Sequence, residues 1–287
     1  MKQDTQKESR PQSEGDVNLS PRRDEWQAAN INAETRALLD EDARYFLHQS
    51  LSTPCLNALQ ACEGIYIEDL QGRRYMDFHG NNVHQVGFSN PAVIDAIKAQ
   101  LDELSFSPRR YTNRVAVDLA KKLAELAPDD LNKVLFCPGG TEAIGIALKL
   151  ARLATGRHKT ISMWDSFHGA SLDAISVGGE SLFRQGIGPL LPGTEHVPPP
   201  DEYRCMWGRD KCEGCDQICA DYIEYVLEKE GDVAAVIAEP VRSTPYVPQP
   251  AYWKKVREAC DRHGALLIFD EIPHALGRTG EMFTCEN

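Results

Sequence analysis

The sequence predicts an α/β fold in which a mostly parallel sheet carries helices on both faces. Short, unbroken apolar runs at residues 233–238 and 265–269 have the pattern of strands that are buried on both sides. Each run follows an amphipathic stretch of helical length, at residues 220–229 and 252–263. Repeated β-α units of this kind form parallel sheets with right-handed crossovers.

Local patterns predict the remaining elements. Apolar–polar alternation around Asp69-Leu70-Gln71-Gly72 indicates a hairpin, and residues 26–50 show helical spacing of apolar side chains. The other predicted elements are helices at residues 91–104, 112–126 and 143–154 and strands at residues 134–136 and 160–163. We interpret the proline-rich stretch 190–203 as a surface loop.

These patterns divide the chain into three segments. Residues 1–25 are polar and almost free of large apolar groups, so we expect a flexible N-terminal arm. Residues 26–110 form an N-terminal segment with helices and a β-hairpin. Residues 111–287 form the large domain that contains the β-α units.

Composition and charge narrow the class of function. The chain has 287 residues, of which 42% are apolar and 26% are charged, as in ordinary globular proteins. Its net charge of -12 argues against a nucleic acid or an anionic membrane as partner, because no basic surplus is available to neutralise phosphates. Neither a membrane-spanning run nor a signal core is recognisable, so we expect a cytoplasmic protein.

Chemically useful residues follow the predicted strands, at the sheet edge where ligands bind in α/β proteins. In Gly139-Gly140-Thr141 the glycines let the backbone approach an anion, the helix start offers N–H groups, and Thr141 offers a hydroxyl donor. A turn that only starts a helix would have the same sequence. Glu239 and Asp270 each end a strand. A carboxylate there suggests a cationic ligand, although a surface turn is the alternative.

An aromatic residue completes this set. Phe167, in Phe167-His168-Gly169, follows another predicted strand, so a flat ligand could stack on its ring; the alternative is that Phe167 fills the core. A phosphate cradle, a stacking aromatic ring and a carboxylate together describe a phosphorylated aromatic cation, and pyridoxal 5'-phosphate (PLP) fits. The carboxylate would keep the pyridine nitrogen protonated, which makes the ring an electron sink that stabilises a carbanion.

From roughly Asn57 to its last residue the chain resembles the class-III aminotransferases, which are PLP enzymes of fold type I. The stretches that carry the resemblance are Gly139-Gly-Thr-Glu-Ala143, Phe167-His-Gly169, Ala238-Glu-Pro240 and Phe269-Asp-Glu-Ile-Pro-His-Ala-Leu-Gly-Arg-Thr-Gly280. The resemblance implies cofactor contacts from seven residues, namely Gly139, Gly140, Thr141, Phe167, His168, Glu239 and Asp270. Among them Gly140 and Thr141 would bind the phosphate, Phe167 would stack on the ring, and Asp270 would bind the pyridine nitrogen. Glu239 would shape the substrate side, and the family's homodimers imply a homodimer here.

The sequence departs from the family pattern in two places. Pro273 stands where the family usually has a glutamine that contacts the cofactor's phenolic oxygen. Proline has no side-chain donor, so we expect altered cofactor electronics or a different reaction outcome. The lysine that binds the cofactor covalently lies, in the family, beyond the position of Asn287. We therefore expect an N-terminal fragment of a longer enzyme, which lacks the catalytic lysine and the small C-terminal domain.

Several further stretches resemble a subgroup described as aminophosphonate ammonia-lyases. They are Phe78-His-Gly-Asn-Asn-Val-His84, Pro108-Arg-Arg110, Gly186-Ile-Gly-Pro-Leu-Leu-Pro-Gly-Thr-Glu-His196 and Glu239-Pro-Val-Arg-Ser-Thr-Pro-Tyr246. Those enzymes act on 1-hydroxy-2-aminoethylphosphonate and release phosphonoacetaldehyde and ammonia. A phosphonate needs cationic partners, and arginine suits it better than lysine. Arg242 is our first candidate, followed by Arg109 or Arg110, and His84 is a candidate to assist the departing hydroxyl group; a surface ion pair or a structural histidine is the alternative for each.

Three functions stay open at this point. The first is a PLP-dependent ammonia-lyase. The second is an ω-aminotransferase, which would share every cofactor residue and differ only in the fate of the carbanion. The third is an inactive, truncated protein with the PLP fold.

The cysteines also leave two interpretations. Nine cysteines, an odd number, fit reduced thiols better than a disulfide framework. Four of them are close enough in sequence to suggest a structural zinc site, namely Cys205, Cys212, Cys215 and Cys219. Their spacing lacks the second close pair of a zinc ribbon, so we prefer free thiols and predict no metal.

Overall fold

The computed structural model describes residues 20–47, 54–80, 83–208, 215–242 and 246–287. The chain divides into two compact units, Met1–Ser107 and Pro108–Asn287, each of which has its own internal packing. Among the described residues, no helix combines the length and the apolar character that a membrane span requires.

The first unit contains a three-stranded antiparallel sheet. Its elements are α1 (Pro21–Asn30), α2 (Ala33–Tyr45), β1 (Leu59–Glu63), β2 (Tyr66–Asp69), β3 (Arg74–Met76) and α3 (Pro91–Leu104), and its strand order is β1-β2-β3. The predicted hairpin is confirmed as β2 and β3. Buried Asp69 fixes its turn by accepting hydrogen bonds from the backbone N–H groups of Gln71 and Arg73.

The boundary of the predicted N-terminal arm differs from the structure. Helix α1 begins at Pro21 because the Ser20 hydroxyl accepts a hydrogen bond from the Arg23 N–H and proline suits the first helical position. Residues 21–25 are therefore helical. Residues 1–19 of the predicted arm lie outside the described part of the chain.

The second unit contains a four-stranded parallel sheet. Its elements are α4 (Arg114–Leu126), α5 (Gly140–Thr155), β4 (Lys159–Met163), α6 (Leu172–Val177), α7 (Ser181–Arg184), β5 (Thr194–Val197), α8 (Ile218–Glu230), β6 (Val233–Ala238), α9 (Pro250–His263), β7 (Leu266–Phe269) and a 3-10 turn (Thr284–Glu286). The strand order is β5-β4-β6-β7, and every neighbouring pair is parallel. The predicted α/β class is confirmed.

Strand β6 is the centre of the core, and all its residues are buried. Successive strand residues point to opposite faces, so Val236 packs with the helices α8 and α9 through Ile223 and Tyr252. Its neighbour Ile237 packs on the other face with Ile144 and Leu148 of α5. The sheet therefore has helices on both faces, as the sequence predicts.

Two sequence predictions are wrong in this unit. Residues 134–136 are not a strand, and Leu135 and Phe136 are more than half exposed; a strand forms only beside a partner, and no strand of the described chain pairs with them. The predicted loop 190–203 contains β5, which pairs with β4. Thr194 of β5 lies opposite Thr160 of β4. Strand β5 was missed because it is short and polar, as an edge strand can be, and prolines flank it.

Candidate active site

The carboxyl ends of β4, β6 and β7 lie at one edge of the sheet, and four of the predicted residues meet there. Phe167 and His168 follow β4, Glu239 follows β6, and Asp270 follows β7. The Phe167 N–H donates a hydrogen bond to Glu239 Oε1 at 3.2 Å, and His168 contacts Asp270. Parallel pairing brings these residues together although the chain separates them widely.

The contact between His168 and Asp270 is the most buried polar pair at this edge. His168 Nδ1 lies 2.8 Å from Asp270 Oδ2, and the two side chains are 0% and 3% exposed. Because a carboxylate oxygen only accepts, Nδ1 carries the hydrogen of this bond. Asp270 Oδ1 accepts a second hydrogen bond from the Ile272 N–H at 3.2 Å. The carboxylate is thus fixed in orientation, while His168 Nε2 is buried without a partner among the described residues.

A second charged cluster surrounds Glu239, whose side chain is 7% exposed. Arg242 Nε lies 3.7 Å from Glu239 Oε1, and another guanidinium nitrogen of Arg242 donates to Glu180 Oε2 at 2.6 Å. Burial raises the pKa of the Glu239 carboxyl, and the Phe167 N–H, His168 and Arg242 offset only part of that increase. Arg242 is therefore held by carboxylates on two sides, one of which sequence reasoning did not identify.

A cavity of about 20 Å³ lies beside this cluster, which is enough room for about one water molecule. Glu239, Arg242, Tyr246, Ser166 and Trp164 are among its lining residues. Both a carboxyl and a guanidinium group thus border a space of water size at the carboxyl end of the sheet.

The start of α5 has the predicted anion-binding form, with one difference. Gly139 caps the helix without a side-chain hydrogen bond, so the first N–H groups of α5 are available to a ligand. A Cβ at Gly140 would lie 2.9 Å from Ile272 Cδ1, so a larger residue there would have to displace the Ile272 side chain.

The Thr141 hydroxyl, however, is already used within the protein. Ser171 Oγ donates to Asp173 Oδ1 at 2.5 Å, and the Thr141 and Ser171 hydroxyl oxygens are 2.6 Å apart. The Asp173 carboxylate has no hydrogen to donate, so the Ser171 hydroxyl hydrogen is used in the bond to Asp173. The Thr141 hydroxyl therefore donates to Ser171 Oγ. Thr141 Oγ1 also accepts from the Ser171 N–H at 3.2 Å. The Thr141 hydroxyl thus has a partner within the protein, and its donation to a ligand stays a prediction; the backbone N–H groups at the start of α5 are further donors.

Replacing Thr141 with valine is expected to lower the free energy of unfolding by about 1–3 kcal/mol, because it removes two hydrogen bonds and leaves the Ser171 N–H without its partner. Urea denaturation of the two proteins measures this difference. Thr112→Val, at an exposed threonine, is the control and should change stability little. Equal stability of Thr141→Val and the unchanged protein would contradict the network of Thr141, Ser171 and Asp173.

The Phe167 ring lies at the site and does not fill the core. Its side chain is 38% exposed, and its ring centroid lies 4.3 Å from that of Phe183 with a tilt of 44°. A ring that is partly exposed at the sheet edge can still accept a stacked ligand.

Glu271, the acid next to Asp270, has a structural role that the sequence did not indicate. Its carboxylate accepts hydrogen bonds from the Thr284 N–H at 2.7 Å and the Cys285 N–H at 2.9 Å. It thereby ties the last turn of the chain to the carboxyl end of β7.

The other candidate residues lie away from these contacts or in the first unit. Arg109 and Arg110 lie in an exposed turn at the start of the second unit. His84 belongs to the first unit, where its ring centroid is 4.0 Å from that of Phe88 and it lines an open cavity of about 530 Å³. Their predicted roles in substrate binding stay predictions.

The cysteine cluster is described only in part. Cys205 and Cys215 are partly buried and Cys219 is buried, whereas Cys212 lies outside the described residues. Within the described ranges, no three histidine, cysteine or acidic side chains are close enough to hold a metal ion.

Comparisons with known proteins match most of the chain. The family described as aminotransferase class-III matches residues 48–287. The (R)-1-hydroxy-2-aminoethylphosphonate ammonia-lyase of Vibrio splendidus is 53% identical over 95% of this chain and 60% of its own length. This chain therefore spans about three fifths of that relative.

Two solved structures have the same fold. An amine transaminase from an uncultivated Pseudomonas species, in a PLP-bound form, superposes with a TM-score of 0.75 at 32% identity, over 83% of this chain and 58% of that chain. The taurine:2-oxoglutarate aminotransferase of Bifidobacterium kashiwanohense, in complex with PLP and glutamate, gives a TM-score of 0.81 at 29% identity, over 88% and 59% of the two chains.

Proposed function

The chain belongs to the class-III aminotransferase family, and we propose that the complete protein is a PLP-dependent ammonia-lyase. In this proposal it acts on 1-hydroxy-2-aminoethylphosphonate and releases phosphonoacetaldehyde and ammonia. The observation that carries the proposal is the buried pair of His168 and Asp270, together with the 53% identity to a relative of that activity.

The residues at the sheet edge fit PLP. Asp270 is a buried, oriented carboxylate that suits a protonated pyridine nitrogen, and His168 keeps it in place. The N–H groups at the start of α5 suit the phosphate, and the partly exposed Phe167 ring suits stacking. When bound, PLP supplies an electron sink for the carbanion that proton removal leaves on the substrate.

Arg242 is the proposed partner of the phosphonate group. Its guanidinium is 12% exposed and forms the cationic centre between Glu180 and Glu239. A phosphonate that binds there competes with one of these carboxylates, and its negative charge favours protonation of Glu239, whose pKa burial already raises. Arginine's planar fork is suited to such an anion.

The proposal also includes parts that lie outside this chain. We expect the covalent lysine, which is the base that removes the substrate proton, in the portion of the relative's length that this chain does not span. We also propose a homodimer for the complete protein. Sequencing the gene past codon 287 tests the first point, because an open frame with a lysine after the next predicted strand is required.

An ω-aminotransferase is the second candidate. It is favoured by the superposition on transaminases, whereas Pro273, at the position of the family's usual glutamine, favours a different outcome.

Incubation of the complete protein with 1-hydroxy-2-aminoethylphosphonate and PLP separates the two. We expect ammonia to be released without any keto acid, measured by a coupled assay. Strict dependence on a keto-acid acceptor would reject the lyase and support the aminotransferase. The matched control uses 2-aminoethylphosphonate, which lacks the hydroxyl group and therefore cannot undergo the elimination.

A further inference from the structure

The position and the neighbours of Glu239 suit a role beyond shaping the substrate side of the site. Its side chain is 7% exposed, its Oε1 accepts the Phe167 N–H at 3.2 Å, and Arg242 Nε lies 3.7 Å away. These contacts fix the carboxyl group between the residue that would stack on the cofactor and the residue that would bind the phosphonate. Glu239 also borders the water-sized cavity that Arg242, Ser166 and Tyr246 line.

The chemistry of the proposed substrate requires a proton donor at this position. In 1-hydroxy-2-aminoethylphosphonate the hydroxyl group and the phosphonate are attached to the same carbon, C1. A residue beside the phosphonate site is therefore also beside the hydroxyl group. Hydroxide is a poor leaving group, so its departure requires an acid that supplies a proton.

We propose that Glu239 donates the proton with which the substrate's hydroxyl group leaves as water. The inference rests on the proposed lyase function and assigns a catalytic residue within it. It gives Glu239 the role for which the sequence suggests His84.

The step balances without an additional reactant. The base takes the proton from C2, and the electrons of that C–H bond form the second C1–C2 bond. The C1–O bond breaks, and the oxygen leaves with its electron pair and the Glu239 proton as water. Glu239 becomes a carboxylate, and the proton taken by the base or one from solvent restores it. The enamine gains a proton at C1 and loses one from nitrogen to become an imine, and water hydrolyses the imine to the aldehyde and ammonia.

The charges around Glu239 support this assignment. From the neighbouring elements it faces His168 after β4, Asp270 after β7 and Arg242, which is itself paired with Glu180. Burial is the largest influence and raises the pKa of the Glu239 carboxyl. The protonated donor therefore persists to a higher pH than in an exposed glutamate, and the elimination should slow as pH rises through this pKa.

The decisive variant is Glu239→Gln in the complete protein, which keeps the shape and removes the proton. Two rates are measured in D₂O, namely the exchange of the C2 hydrogen by NMR and the release of ammonia. We expect exchange to persist and ammonia release to fall by about 10²–10⁴-fold, the usual contribution of a general acid. The unchanged protein should release ammonia more slowly as pH rises through the pKa of Glu239, and this decrease should be absent in Glu239→Gln. Glu258→Gln is the control, because Glu258 is an exposed glutamate that pairs with Arg262 on α9, and it should retain release.

A second readout needs neither turnover nor PLP. Binding of 2-aminoethylphosphonate to the apoprotein is measured by calorimetry in two buffers with different ionisation enthalpies, which reports proton uptake. The phosphonate's charge favours protonation of Glu239, so we expect uptake in the unchanged protein and in Glu180→Gln but not in Glu239→Gln. Binding itself shows that the Glu239→Gln protein is folded.

The outcomes are distinguishable. Ammonia release by Glu239→Gln near the unchanged rate overturns the assignment while the lyase function stands. Loss of both exchange and release in a variant that still binds 2-aminoethylphosphonate overturns it too, because Glu239 would then serve an earlier step. Absence of ammonia release by the unchanged protein without a keto acid rejects the proposed function, and the assignment falls with it.

Discussion

Replacing Asp270 with asparagine is expected to lower the rate of substrate C–H bond cleavage in the complete protein by about a hundredfold or more. Asparagine keeps the shape and can still contact His168 Nδ1, which lies 2.8 Å from the carboxylate, but it carries no charge. A nearby carboxylate raises the pKa of a bound cation by about 1–3 units, and each unit is worth about 1.4 kcal/mol. Without it the pyridine nitrogen loses its proton and the ring becomes a weaker electron sink.

Hydrogen exchange at C2, followed by NMR, measures this rate independently of ammonia release. Asp261→Asn is a suitable control, because Asp261 has an exposed side chain that pairs with Arg257 on the surface of α9. An Asp270→Asn protein that exchanges C2 hydrogen as fast as the control would refute the assignment of Asp270 to the pyridine nitrogen.

The second large effect is expected at Arg242. Arg242→Gln should raise the KM for the aminophosphonate by about a hundredfold, because hydrogen bonds to charged groups contribute about 1.5–3 kcal/mol each and a tenfold change is about 1.4 kcal/mol. The substitution also leaves the Glu180 carboxylate facing the site without its cation, which repels an anionic substrate.

Steady-state kinetics with two further variants tests whether shape or charge matters. Arg242→Lys keeps the charge but loses the planar fork, so an intermediate KM is expected. Arg204→Gln, at an exposed arginine over the ring of Tyr203, should leave KM unchanged. If Arg242→Gln binds the substrate as tightly as Arg204→Gln does, the phosphonate contacts another residue, and Arg110 is the next candidate.

The sequence alone determined the layers of the second unit and the edge at which the site lies. The apolar runs of β6 and β7 and the amphipathic helices before them are local patterns. Each can be recognised from a few consecutive residues. Because parallel strands end at one edge, the order of the chain was sufficient to place Phe167, Glu239 and Asp270 there.

Only the tertiary structure decided how the side chains at that edge are paired. His168 and Asp270 are 102 residues apart, and Arg242 meets Glu180 across 62 residues. Nothing in their local sequence marks one as the partner of the other. The same holds for Thr141, whose hydroxyl is committed to Ser171 through a contact that no short motif contains.

The wrong predictions have the same cause. Residues 134–136 have a strand-like composition but lack a neighbour in the described chain, whereas β5 has a polar sequence and is a strand because β4 lies beside it. Periodicity and chain order report on burial and on which strand ends share an edge. Pairing depends on contacts between distant parts of the chain, so it became visible only when the chain was folded.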